Sequence, residues 1–397
     1  MVFDKKYLVV VIGLFVIFIT SGLAAQIGLV IEPIADQYDV SLAGVGSIFS
    51  FLTGGLLLGN FLAIFIFDYV SFRTFFVAGY TLLLLALIGL VGSENIVSLS
   101  ICLAVIGVVC GIGMCGGASI MTKLFDGNKR QVVLVAQDAI YNLSGAIIPL
   151  TTGFIMSIGL SWSWGYLSLG VFVLPVIVLS LLVLGKFDFG LNQSNESEDE
   201  GETEWNIGIV SIACCLFLYM MAQLMLVIWL PQYAIQEFSI ERESADTLIS
   251  NIFSAALIST LIAVYVVYKI RILYFLYFVV SLGLLSIIGL LLAESSESLF
   301  LLSYLLGIAF SATFNSLVVY GLLFVAKPSH KNVTFLMLMA GLGGALAPFI
   351  SSLLVDWFAT PKSVIFLAAG EYFIIIVTLL WSNLKGVEVR NSVAAVY

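Results

Sequence analysis

Apolar residues along this chain gather into long runs separated by short polar stretches. Each run holds about 20 residues, and a helix of that length crosses the roughly 30 Å apolar core of a bilayer. We count twelve such runs, which predict twelve transmembrane helices, called spans 1 to 12 below. The predicted spans are 7–34, 45–67, 72–92, 96–125, 132–158, 164–185, 207–234, 248–268, 272–293, 299–325, 333–358 and 364–384.

The composition supports lipid as the solvent of this chain. Hydrophobic residues make up 61% of the 397 positions, charged residues 10%, and the mean hydropathy is +1.17. A soluble domain is about half apolar and a quarter charged. The first run is too long for the core of a signal peptide and has no small-residue cleavage site after it, so we interpret it as span 1. The predicted class is an all-α membrane protein.

Lysine and arginine alternate between the two ends of the spans. Only Arg242 and Lys362 fall at the end that holds the loop between spans 1 and 2. The other thirteen basic residues fall at the opposite end, which also holds both chain termini. Because cytoplasmic loops carry the excess of basic residues, both termini and the central linker are expected in the cytoplasm. The expected location is the bacterial inner membrane.

A short acidic stretch divides the spans into two sets of six. Residues 187–205 hold seven of the 24 acidic residues and account for most of the net charge of −9. Such a polar segment is typical of a solvated tether, and a docking role remains an alternative. The predicted organisation is a first bundle at 1–186, a cytoplasmic linker at 187–205 and a second bundle at 206–397.

The two sets of six spans have similar local sequences. Residues 145–149 (GAIIP, span 5) recur as 344–348 (GALAP, span 11), 199 positions later. Residues 48–50 (IFS, span 2) recur as 252–254 in span 8, 204 positions later. These offsets indicate a duplicated six-helix unit. Alternating-access carriers are built from such repeats, with the binding site at their interface.

The sequence of predicted spans 4 and 5 is similar to that of a known protein family. It reads GVVCGIGMCGGASIMTKLFDGNKR from residue 107 and AQDAIYNLSGAIIP from residue 136. Over essentially its whole length the chain resembles the major facilitator superfamily. Residues 107–170 are similar to the TsgA-type bacterial members, which are related to fucose–proton symporters. The resemblance implies two pseudo-symmetric six-helix bundles (the major facilitator fold) that rock around a central site.

The chain departs from family patterns in three places. The superfamily loop between spans 2 and 3 reads G-x-x-x-D-R-x-G-R-R, whereas this chain keeps only Asp68 and a terminal Arg73. These two residues are the expected cytoplasmic gating pair. Residues 115–118 (CGGA) lack the glutamate that fucose–proton symporters carry in span 4. The drug-antiporter signature is missing from 145–153 (GAIIPLTTG), which disfavours efflux without excluding it.

Acidic residues within spans are the candidates for proton coupling, because a charge at helix centre is costly and usually functional. Asp138 lies about 12 Å into span 5 and shares a helix face with Asn142. It is the first candidate, against the alternative of a structural acid bonded to a neighbouring helix. Glu371 in span 12 and Glu32 near the end of span 1 are further candidates. The alternative for Glu371 is a structural role, protonated and bonded to a neighbouring helix. The alternative for Glu32 is a position at the membrane interface without a role in coupling.

Neutral polar side chains within spans are candidates for solute binding. Amides and phenols suit hydroxyl-rich or zwitterionic solutes, although each also bonds helices to one another. Gln26 and Gln223 occupy corresponding places in the two halves and are expected to face a shared cavity. The predicted substrate-binding residues are Gln26, Tyr141, Asn142, Gln223, Asn251, Asn315 and Tyr320. No lysine or arginine falls securely within a span, which disfavours a multivalent anion as the solute.

These observations predict a secondary transporter rather than an enzyme. The favoured function is proton-coupled symport of a small hydrophilic solute, a sugar or related metabolite. Proton-coupled efflux of a cationic or amphipathic compound is the first alternative, and a non-transporting membrane scaffold or sensor is the second. The expected partners are the solute, protons and the lipid bilayer, with no nucleic acid, metal or cofactor. The expected oligomeric state is a monomer.

Overall fold

The computed structural model describes residues 5–124, 127–186, 206–325 and 330–384. The predicted acidic linker, 187–205, lies outside these described residues. Within them the secondary structure is helical, and twelve segments are long and apolar enough to cross a membrane. The prediction of twelve spans is therefore confirmed.

Several spans consist of two helices that meet at a bend. In the first half the helices are Lys5–Ala25 and Ile27–Tyr38 (span 1), Leu42–Ile48 and Ser50–Tyr69 (span 2), Phe72–Val91 (span 3), Ile96–Leu124 (span 4), Gly127–Ser157 (span 5), and Trp162–Ser168 and Gly170–Val183 (span 6), the last continued by a 3-10 turn, Leu184–Lys186. In the second half they are Ile207–Phe238 (span 7), Arg242–Lys269 (span 8), Ile272–Leu292 (span 9), Ser296–Phe310 and Thr313–Leu322 (span 10), His330–Phe358 (span 11), and Lys362–Leu384 (span 12).

Short polar residues begin many of these helices. The Ser41 hydroxyl accepts a hydrogen bond from the Gly44 N–H, and Ser71 accepts one from the Thr74 N–H. Asn206 and Ser295 cap spans 7 and 10 in the same way. A serine or asparagine at this position pairs one of the N–H groups that the first helical turn leaves free. The polar residues between the apolar runs thus fix where the spans start.

The two halves pack with the same pattern of neighbours. In the first half span 2 packs on span 4, span 1 on spans 4, 5 and 6, and span 3 on spans 4 and 6. The second half repeats these contacts with each number raised by six. Between the halves, span 5 packs on span 8 and span 2 on span 11, which are again equivalent pairs. The predicted pseudo-symmetry is confirmed.

Glycines let spans 2 and 4 approach backbone to backbone. A Cβ on Gly55 would lie 2.7 Å from the Ala104 carbonyl oxygen, and one on Gly111 would lie 2.9 Å from the Asn60 nitrogen. Gly59 and Gly107 complete two G-x-x-x-G pairs that face each other. Helices in lipid associate through such small residues because no hydrophobic force drives them together.

Span 8 begins earlier than the sequence predicted. The apolar run starts at 248, but the helix starts at Arg242 and includes two more turns of polar residues. The helix therefore extends beyond the apolar run into a polar segment. This shift places Asp246 inside the bundle, where its side chain is 3% exposed.

Candidate functional site

A cavity of about 340 Å³ lies between the two halves. Its walls come from spans 1, 2, 4 and 5 of the first half and spans 7, 8, 10 and 11 of the second. Among the described lining residues, none comes from spans 3, 6, 9 or 12. Cavities of this size hold small molecules, and a site shared by two halves is where domains usually bind ligands.

A carboxyl group on one wall bonds directly to an amide on the other. Asn315 Nδ2 in span 10 donates a hydrogen bond of 2.6 Å to Asp138 Oδ2 in span 5. One turn further along span 5, Asn142 Nδ2 lies 3.4 Å from the hydroxyl of Thr260 in span 8. Spans 5, 8 and 10 are thus joined across the interface of the halves by polar side chains.

Span 10 is broken beside this contact. Its first helix ends at Phe310, and Ala312 adopts a left-handed conformation with φ 52°. The freed carbonyl groups are partly paired, because the Tyr219 hydroxyl donates to Phe310 O at 3.1 Å and the Thr313 hydroxyl donates to Ala309 O at 2.6 Å. Asn315 follows in the first turn of the second helix. The positive end of a helix dipole therefore lies next to the Asp138 carboxyl.

Aromatic rings line much of the remaining wall. Tyr141 of span 5 and Phe253 of span 8 pack across the interface, with ring centroids 6.2 Å apart. Tyr219, Phe310 and Phe314 line the second half's side. Asp138 is the one acidic residue of the lining, which contains no lysine or arginine among the described residues. The cavity thus combines flat apolar surfaces, amides and a single carboxyl.

The halves meet closely at one end, which we call the distal end because it lies opposite the chain termini. Arg242 of span 8 binds Glu32 of span 1 at 2.5 Å. Gly28 lies against the backbone of span 7, where a Cβ would be 2.8 Å from the Val227 carbonyl oxygen. These contacts close the bundle between the cavity and the distal surface.

Comparison with known proteins identifies the family to which this chain belongs. The family model for the Major Facilitator Superfamily matches residues 10–334. The chain belongs to the major facilitator superfamily. Members of this superfamily are transporters rather than enzymes, and the protein is a multi-pass membrane transporter of small solutes.

Curated relatives and solved structures agree with this membership. The chain is 25% identical over 332 residues to a protein TsgA homolog of Yersinia enterocolitica, and 26% identical over 335 residues to one of Yersinia pestis. Each match covers 84% of both chains. A mutant of the nucleoside transporter NupG has a similar fold, with a TM-score of 0.74, 12% identity, and 95% and 99% of the two chains covered. A bacterial homolog of the human lysosomal transporter Spinster, in an inward-facing and occupied conformation, gives a TM-score of 0.69 at 12% identity, with 97% and 98% covered.

The structure of this superfamily member brings five of the predicted site residues to the cavity. Asp138, Tyr141, Asn142, Gln223 and Asn315 all line it. Four of them come from two short stretches, since three lie within one turn of span 5 and one lies beside the break in span 10. This set contributes three amides, one phenol and one carboxyl to the lining.

Three other predicted solute-binding residues lie away from the cavity. Gln26 is fully buried at the bend of span 1, and its Oε1 accepts a 2.8 Å hydrogen bond from Thr152. Tyr320 shares a 3.0 Å hydrogen bond with Ser382 of span 12. Asn251 is half-buried and is not part of the lining. Of the two glutamines that were expected to share the cavity, Gln223 lines it and Gln26 does not.

The remaining predicted residues also lie outside the cavity. Glu32 forms the distal ion pair. Glu371 is 2% exposed in span 12, and neither carboxyl oxygen has a hydrogen-bond partner among the described residues. Asp68 and Arg73 are both exposed and form no ion pair with each other in the described structure. The Arg73 guanidinium instead lies against Gly185 at the end of span 6.

Several residues at the interface were not predicted from the sequence. Thr53 of span 2 donates a 3.1 Å hydrogen bond to Ala345 O of span 11, and Thr260 meets Asn142. Threonines are common in membrane helices and carry no signal that singles them out. Asp246 precedes the apolar run, so the predicted span 8, residues 248–268, does not include it.

Proposed function

We propose that this protein is a proton-coupled symporter that imports a small hydrophilic solute, such as a sugar or related metabolite, by alternating access. The hydrogen bond between Asp138 of one half and Asn315 of the other is the observation that carries this proposal. A titratable group that joins the two moving halves inside the cavity can couple proton binding to their motion. The halves are residues 1–186 and 206–397, connected by the acidic tether 187–205.

The lining chemistry supports a neutral or singly cationic solute. Four amides and two tyrosines provide donors and acceptors for hydroxyl or amino groups, and the aromatic rings provide flat apolar contacts. A multivalent anion would need a compensating cation, and the described lining contains none. The volume of about 340 Å³ favours a molecule the size of a monosaccharide or a small ring compound.

Protonation of Asp138 would weaken the bridge between the halves. A hydrogen bond to an ionised group contributes about 1.5–3 kcal/mol, and one between neutral groups about 0.5–1.5 kcal/mol. Loading a proton therefore loosens the contact between spans 5 and 10 by about 1 kcal/mol. Solute binding to Asn142 and Gln223 in the same cavity then favours closure around both ligands.

The proposed orientation has both chain termini in the cytoplasm, and the proposed oligomeric state is a monomer. The distribution of basic residues supports cytoplasmic termini, which places the distal end outside the cell. All walls of the cavity come from one chain, which supports a functional monomer. In this orientation the structure is closed toward the outside.

The apolar lining favours one alternative, proton-coupled efflux of a cationic or amphipathic compound. Aromatic rings beside a single carboxyl attract such cations. Purified protein in liposomes with an imposed pH gradient, acidic outside, distinguishes the two functions. Symport predicts that a neutral solute such as a sugar, polyol or nucleoside enters together with protons and acidifies the lumen. Exchange of a cationic compound against protons would establish efflux, and solute movement that ignores the gradient would contradict both.

A further inference from the structure

Glu371 lies near the middle of span 12, on the side of the helix that faces the protein. It is 2% exposed, and Ala368, Tyr372 and Ile375 on the same side are fully buried. The helix begins at Lys362, so Glu371 lies about 14 Å from that end at 1.5 Å per residue. The carboxyl is therefore enclosed by protein, away from lipid and from the water at either membrane surface.

This carboxyl has no partner among the described residues. Neither Oε1 nor Oε2 of Glu371 has a hydrogen-bond partner there, and no ion pair of the described chain includes it. Span 12 packs on spans 7, 9 and 11. The charged residues of these three spans lie in terminal turns and are Glu237, His330, Lys331 and Asp356. Their other titratable side chains are thiols and phenols, which are uncharged at neutral pH, namely Cys214, Cys215, Tyr219, Tyr233, Tyr274 and Tyr277.

These surroundings favour the neutral, protonated form of Glu371. An ionised carboxylate without a partner is costly inside a protein, because it gives up its hydration and gains no hydrogen bond or opposite charge in return. The same cost applies to an acid at the depth of a membrane. A carboxyl in this position binds a proton instead.

Packing alone does not call for an acid at this place in the fold. The equivalent helix of the first half, span 6, contains no aspartate or glutamate between 162 and 183. There the ring of Phe172 packs on that of Phe18 in span 1, with centroids 4.4 Å apart. In the second half Tyr372 and Tyr219, 200 and 201 positions later, make the equivalent contact at 6.3 Å. The second half thus keeps the aromatic contact and adds two hydroxyls and a carboxyl beside it.

The acid lies behind the aromatic wall of the cavity. Tyr219 lines the cavity, and its hydroxyl donates to the carbonyl oxygen of Phe310, where the first helix of span 10 ends. The hydroxyl of Tyr372, like the carboxyl of Glu371, is buried without a hydrogen-bond partner among the described residues. Water that entered to hydrate an ionised Glu371 would also reach this hydroxyl and the ring contact between Tyr372 and Tyr219.

We propose that Glu371 is a second proton-binding site of this transporter, occupied while spans 7 and 12 are packed together and vacated when water enters between them. On release the O–H bond of the acid breaks, the proton passes to the entering water, and the carboxylate is hydrated in place. Loss of the proton loosens the contact between Tyr372 and Tyr219 and thereby the wall of the cavity. For its consequence in the transport cycle this inference rests on the proposed function.

Infrared spectroscopy measures the charge of this carboxyl. At neutral pH the spectrum of the parent minus that of Glu371→Gln should contain the C=O stretch of a protonated carboxyl, and this band should shrink as the pH rises. Glu32→Gln is the matched control, because Glu32 is partly exposed and paired with Arg242, and it should remove no such band. Absence of the band from the parent at neutral pH overturns the site.

A native thiol reports whether water enters between spans 7 and 12. Cys215 is 1% exposed, one turn from Tyr219 on span 7, and its thiol shares a hydrogen bond with Thr378 of span 12. In a protein that keeps only this cysteine, a small methanethiosulfonate reagent should modify it faster as the pH rises. Thiolate formation speeds the reaction equally in Glu371→Gln, so the ratio of the parent rate to the variant rate isolates the acid. This ratio should rise with pH, by up to about tenfold per pH unit for one proton, and a flat ratio overturns the inference.

The outcomes for this site and for the proposed function are separate. If the band and the rate ratio behave as expected but liposome uptake moves no protons, the site stands and the symport proposal fails. If uptake is proton-coupled and the ratio stays flat, the symport proposal stands and the site at Glu371 fails. Glu371→Asp keeps a titratable carboxyl and should retain the pH dependence. Loss of the dependence in that variant would show that the shape of the side chain matters rather than its proton, and would overturn the site.

Discussion

Gly28 provides a direct way to disturb the closed distal end. In Gly28→Ala the new methyl group would meet the Val227 carbonyl oxygen at 2.8 Å and the Ile228 carbonyl oxygen more closely still. Both atoms belong to helical backbone, which cannot move aside as a side chain can. Overpacking of this kind costs about 1–3 kcal/mol. Alanine regains about 0.5–1 kcal/mol of helix propensity in every conformation, and this gain does not relieve the clash in the closed state.

The expected result is a shift away from the closed state. Because the propensity gain is the same in both states, the cost of about 1–3 kcal/mol in the closed state corresponds to a roughly 5- to 160-fold rise in the ratio of open to closed populations. The distance between spin labels at the exposed residues Ser157 and Gln236, in a variant without native cysteines, reports this ratio. Gly54→Ala is the matched control, because a Cβ on Gly54 meets nothing within 4 Å. A distance distribution that is the same for Gly28→Ala and Gly54→Ala would refute the assignment of this contact as the closed gate.

Three further predictions concern the ion pair, a residue outside the cavity, and the topology. Either single change, Glu32→Arg or Arg242→Glu, should lower the transport rate by up to about fivefold, since an exposed ion pair contributes about 0–1 kcal/mol. The double variant, in which the two charges are exchanged, should restore most of the lost transport. Transport rates of the three variants test this prediction. Tyr320→Phe should lower the melting temperature through loss of one buried hydrogen bond, worth about 1 kcal/mol, and leave the Kd for the solute unchanged; a weakened Kd would return Tyr320 to the site. A periplasm-active reporter inserted at Ser194 should give no signal, and a strong signal would reverse the proposed orientation.

Much of the fold follows from the spacing of apolar runs. The twelve spans and the two-fold repeat follow from hydropathy, internal similarity and the family resemblance. The breaks inside spans do not. Gln26 and Ala312 interrupt helices in apolar sequence, because tertiary contacts rather than local propensity determine where these helices bend.

The sequence predicts cavity-lining residues where polar side chains cluster on one helix face. Asp138, Tyr141 and Asn142 lie within one turn, so their shared orientation follows from helix geometry alone. The depth and rotation of an isolated polar residue depend on how its span packs. Gln26 and Tyr320 therefore bond to neighbouring spans, whereas Gln223 and Asn315 reach the cavity. Asp246 was missed because the end of a helix in a membrane protein need not coincide with the end of its apolar run.

Asp138→Asn provides the most direct test of the account. The variant keeps the shape of the side chain and a hydrogen-bonding partner for Asn315, but it cannot bind and release a proton. Reconstituted in liposomes, it should lose gradient-driven accumulation of solute, by at least about tenfold, and keep exchange of labelled for unlabelled solute across the membrane. Unchanged accumulation under a pH gradient, in a variant that folds and melts as the parent does, would contradict the central claim that Asp138 couples proton binding to transport.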